Sequence, residues 1–78
     1  MSLRKRWQRL SRDTVASVPQ RYGVYELGDG EGAVVAAGAG FLPDELREAL
    51  AYGDANATQV RWKTAASESH AERLLEEL

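Results

Sequence analysis

Three stretches of the chain carry residue types that could meet a phosphate. The first, RYGVYELGDGEGAVVAAGAG at residues 21–40, holds six of the seven glycines. A phosphate loop needs a glycine-rich turn between a strand and a helix, with glycines spaced G-x-G-x-x-G or a closing G-K-[ST]. Gly28, Gly30 and Gly32 give G-x-G-x-G instead, and no lysine with a hydroxyl neighbour follows Gly40. The residues on either side of the turn read as strands, so the stretch is expected to be a β-hairpin. The second is the N-terminal run Arg4, Lys5, Arg6, Arg9 and Arg12, which gives residues 1–12 a charge of +5. Residues 13–78 set twelve acids against five bases, −7, and the two parts sum to −2. An acidic body repels nucleic acid, so the basic run either contacts phosphates or docks onto the body. The third, Arg61-Trp62-Lys63, resembles a basic-aromatic patch. In a strand, however, Trp62 points away from its two neighbours and belongs to the core.

The rest of the chemistry is sparse. His70 is the only histidine, and the absence of cysteine excludes disulfides and thiolate metal sites. The chain of 78 residues makes one small domain in which every sizeable apolar side chain is needed for the core. No apolar run approaches the length of a membrane span and no signal peptide is legible, so a cytoplasmic protein without a membrane partner is expected.

The elements that must position these residues follow from periodicity. Leu3, Trp7 and Leu10 fall at i, i+4 and i+7, which predicts a basic amphipathic helix over residues 2–11. Pro19 ends any further helical turn over Thr14–Ser17. Tyr22–Leu27 and Ala33–Ala37 form the two strands of the hairpin. In FLPDELREALAYG, Pro43 and the acids Asp44 and Glu45 suit a helix N-terminus, Gly53 its end, and Leu42, Leu46, Ala49 and Leu50 its buried face. Residues 58–64 alternate as a strand. The last helix opens on Ser69 and Glu72 as a capping box and buries Ala71, Leu74, Leu75 and Leu78. The expected fold is α+β: two layers, a three-stranded antiparallel sheet with flanking helices. A helix-and-linker region covers residues 1–18 and the domain proper covers 19–78.

This order, with a strand beginning Gly23-Val24-Tyr25 and a second ending Ala36-Ala37-Gly38, resembles the GIY-YIG nuclease superfamily over residues 19–78. The resemblance implies a metal-dependent hydrolysis of DNA phosphodiesters. Tyr25 stands at the first family tyrosine and Glu72 at the carboxylate that holds Mg²⁺. The second tyrosine is replaced by Ala36, the phosphate-binding arginine by Glu45 and the helix histidine by Ala49. Losing one preorganised donor typically costs about 10²–10³ in rate. A carboxylate beside a phosphate adds about 1–4 kcal/mol of repulsion in a wet site. The expectation is therefore a catalytically degenerate, non-enzymatic binding module that requires no cofactor. Its partner is nucleic acid, through Arg4, Lys5, Arg6 and Arg9, or another protein. Two alternatives stand beside it. One is an atypical endonuclease using Tyr25 and Glu72, with Arg47 or Arg61 on the phosphate; the other is a purely structural or protein-interaction domain.

Overall fold

A computed structural model describes residues 3–78; Met1 and Ser2 lie outside the described residues. The elements run β1 (Gln8–Arg9), α1 (Arg12–Ser17), β2 (Tyr22–Gly28), β3 (Val34–Phe41), α2 (Leu42–Tyr52), β4 (Gln59–Thr64) and α3 (Glu68–Glu76). The α+β class is as expected, but the antiparallel sheet has four strands, ordered β1-β4-β2-β3.

The added strand comes from the segment read as a helix. From Leu3 to Trp7 no helix forms, Gln8 and Arg9 pair with Val60 and Gln59, and the Leu10 amide donates to Thr58 at 2.9 Å. A helix of about ten residues is marginal by itself. Here the ladder to β4 and the seat of Trp7 against Gly28 prevail over it. Helix begins only at Arg12, capped by the Ser11 hydroxyl, which accepts from the Thr14 amide. Val15 of α1 and Val18 behind it lie in the main core, so residues 1–18 are not a separate helix and linker.

β2 and β3 form the expected hairpin, in register from Tyr22–Phe41 to Leu27–Ala36 with a bulge at Leu27/Gly28. The Asp29 carboxylate accepts from the Glu31 and Ala33 amides, and Gly32 takes φ 85° to close the turn. The glycines therefore serve a turn between strands.

β2 is central and buried on both sides. Leu27 faces one way with Val60, and against them pack Val15, Val18, Leu42 and Leu46 from α1, α2 and the segment between. Val24 and Glu26 face the other way, beneath α3 and the N-terminal segment. Helices thus cover both faces, which corrects the two-layer expectation. In α2, Leu42 and Leu46 are fully buried and Ala49 packs on the core, while Leu50 is more than a third exposed. α3 is capped by Ser67, whose hydroxyl accepts from the His70 amide, rather than by the expected Ser69. His70 Nδ1 in turn accepts from the Ala66 amide at 2.8 Å, so the histidine completes the cap.

Candidate functional site

Tyr25 stands in the middle of β2, opposite Gly38 of β3 and Trp62 of β4. Its ring lies across Gly38, where a Cβ would come within 2.6 Å of the phenol carbon. Only glycine leaves that space. The hydroxyl donates to Glu45 Oε1 at 3.3 Å. Burial, reinforced by the Glu45 charge and hydrogen bond and by Glu48, pushes the Tyr25 phenol up to about 12. At neutral pH it is a proton-bearing donor, not a phenolate base.

Tyr25, Ala36, Glu45 and Ala49 line one cavity of about 230 Å³, with Glu48 and Asp54 on its wall. Four positions singled out by the nuclease resemblance therefore share one hollow, and its charge is acidic. Glu72, exposed on α3, belongs to a neighbouring hollow with Glu68, Asp44 and Glu45. Among the described residues, no group of three histidine, aspartate or glutamate side chains could hold a metal ion. The carboxylate that the resemblance gives to Mg²⁺, Glu72, does not line the cavity of Tyr25. Neither alternative arginine reaches the cavity as a free cation. Arg47 pairs with Asp44 at 3.4 Å on the exposed side of α2. Arg61 lies on the opposite face of the sheet from Tyr25, held by Glu26.

That second pair organises a site on the α3 face which the sequence reading missed. Glu26 is 3% exposed and accepts from Arg61 Nε and the Leu3 amide, each at 2.9 Å. The Arg61 guanidinium sits 4.0 Å from the centre of the Trp7 ring and donates to the Lys5 carbonyl. Trp7 in turn covers Gly28. The one signal in the sequence was a lone glutamate inside an apolar strand; the arginine opposite it in β4 is set by the register.

This network and β1 anchor the basic segment, which bends at Lys5 and joins the sheet only at Gln8 and Arg9. Arg4, Lys5, Arg6 and Arg9 are exposed, and the only ion pairs among the described residues are Arg47–Asp44 and Arg61–Glu26. The segment is docked through the Leu3–Glu26 bond and β1, while these four cations form no ion pair among the described residues. Arg4 and Lys5 join Lys63 and Glu77 around a hollow of about 340 Å³ that Leu3, Leu74 and Leu78 also line.

The family model that matches this sequence is described as a domain of unknown function, DUF7508, and it covers residues 1–78. The chain belongs to this family. No curated protein and no solved structure was found to match it. What this DUF7508 domain offers a ligand is thus carried by its own surfaces: an acidic cavity at Tyr25 and a basic edge at Arg4–Arg9. No helix among the described residues is long and apolar enough to cross a membrane.

Proposed function

We propose that the domain is a non-enzymatic nucleic-acid-binding module, a catalytically degenerate relative of the GIY-YIG nucleases. The observation that carries the binding is the row Arg4, Lys5, Arg6 and Arg9, exposed and without a carboxylate partner on a segment fixed to the sheet. The four cations fall within six residues of one anchored segment, so they can meet phosphates of one strand together. Fixing the segment in advance lowers the entropy lost when those phosphates bind. The hairpin order and the convergence of Tyr25, Ala36, Glu45 and Ala49 on one cavity support the kinship. The acids in that cavity, and the protonated state of Tyr25, speak against cleavage there.

The test is binding of the full chain to labelled duplex and branched DNA with Mg²⁺ present, followed by a search for nicks. The comparison variant carries Arg4→Gln, Lys5→Gln, Arg6→Gln and Arg9→Gln; deleting residues 1–12 would also remove β1 and the Leu3–Glu26 bond. Salt-sensitive binding lost in the variant, with no nicks, supports the proposal. Nicking abolished by Glu72→Ala would overturn the non-enzymatic part. Absence of binding would overturn the nucleic-acid part.

A further inference from the structure

The two edges of the sheet differ. β1 offers two residues, Gln8 and Arg9, whereas β3 offers eight with nothing paired along its outer side among the described residues. The direction of its free groups follows from the ladder. The Leu42 amide bonds to the Arg21 carbonyl, so Gly23–Gly40, Tyr25–Gly38 and Leu27–Ala36 are the hydrogen-bonded pairs. Ala37 and Ala39 therefore turn both N–H and C=O away from β2, towards the open edge. Natural edges are usually blunted by lysine, proline or a covering loop. Val34–Phe41 contains no charged residue and no proline.

Charge decides what such an edge would accept. An added strand would direct its side chains alternately to the two faces of the sheet. On the α3 face it would meet Glu68 and Glu72, which stand one turn apart beside Ala39 and Phe41. On the α2 face it would meet Glu45 and Glu48, beside Gly40 and Ala36. None of the four is in an ion pair among the described residues. No three of them could hold a metal ion together.

We propose that the β3 edge is a docking site for an extended cationic peptide, which adds as a fifth strand and places lysine or arginine side chains against the carboxylates on both faces. Main-chain bonds to Ala37 and Ala39 supply the register, and the glutamates select the charge. A second copy of the chain is less suited: antiparallel self-pairing would bring Asp29 and Glu31 of one copy towards Asp44 and Glu45 of the other. The site is separate from the basic edge and does not depend on nucleic-acid binding.

The probe is a labelled eight-residue peptide of lysine, arginine and valine. Its controls are a glutamate-for-cation version and an equally charged version with proline at alternate positions. Amide hydrogen exchange of the full chain is read by NMR with and without each peptide. The expected result is saturable binding of the cationic peptide with slowing of the Ala37 and Ala39 amides by at least about tenfold. Neither control should slow them. Ala37→Pro removes an outward N–H and leaves the bonds to β2, and it should weaken binding at least about tenfold. If that variant fails to fold, the exchange data on the natural chain still decide. Equal binding of the proline-containing peptide, or binding without slowing at Ala37 and Ala39, would overturn strand addition. Slowing of the same amides by self-association, without peptide, would make the occupant a second copy and overturn the proposal.

Discussion

Removing the Glu26 carboxylate should cost this domain a large share of its stability. Glu26→Ala would leave the Arg61 guanidinium, with its side chain 13% exposed, without its carboxylate. It would also leave the Leu3 amide without its acceptor. Breaking one partner of a buried ion pair typically costs about 3–5 kcal/mol, because the remaining charge stays desolvated. Arg61 retains the Trp7 ring and the Lys5 carbonyl, which sets the expectation at the lower end, about 3 kcal/mol. A domain of this size has roughly 4–12 kcal/mol in total. At about 4–8 °C per kcal/mol, the melting temperature should fall by about 12–24 °C. Replacing both members, as Glu26→Met with Arg61→Met, removes the stranded charge and should recover at least half of that loss. Urea unfolding followed by tryptophan fluorescence reads both, since Trp7 covers the pair and Trp62 reports the other face. A loss under about 1 kcal/mol for Glu26→Ala, or a double variant that merely adds the two single losses, would refute the reasoning.

The remaining predictions concern the Tyr25 cavity and the α3 cap. Ultraviolet titration should show one phenol ionising near 12, lost in Tyr25→Phe and lowered in Glu45→Gln, because burial and the Glu45 charge both raise it. Since the folded value lies above the ordinary 10.0, the associated stability is present below pH 10 and drains away as pH rises towards 12. A phenol titrating at its ordinary value would contradict the burial and the Glu45 contact. Gly38→Ala should destabilise by about 1–3 kcal/mol through collision with the Tyr25 ring, and much less in a Tyr25→Ala background. Equal losses in the two backgrounds would show that the ring is not the obstacle. Thermal melts should show Ser67→Ala costing about 1 kcal/mol and Ser69→Ala under about 0.5, because Ser67 accepts the His70 amide. The reverse order would place the cap at Ser69.

Local patterns were legible where local physics decides. The glycine-rich turn, the helix α2 with its buried Leu42 and Leu46, and the strand around Trp62 all formed as their spacing implies. The N-terminal segment was misread because Leu3, Trp7 and Leu10 satisfy a helical period, whereas its bonds run to distant residues: Leu3 to Glu26, Gln8 and Arg9 to β4, and Leu10 to Thr58. No short window contains those partners. The second buried face was legible in principle: Val24 and Leu27 point opposite ways and both are apolar, as in a strand covered on both sides. Of the candidate site, Tyr25, Ala36, Glu45 and Ala49 converge on one cavity, whereas Glu72 stands in the next hollow. The Glu26–Arg61–Trp7 arrangement needed the β2–β4 register, which only the assembled sheet supplies.

The central claim is that Arg4, Lys5, Arg6 and Arg9 meet nucleic-acid phosphates. Its most direct test is the salt dependence of duplex DNA binding, for the full chain and for each cation replaced singly by glutamine. Four phosphate contacts predict a slope of log affinity against log salt near about −3.6, a loss of about a hundredfold between 50 and 200 mM. Each replacement should flatten that slope by about 0.9. Binding whose slope is unchanged by every replacement, or no binding at low salt, would contradict the account.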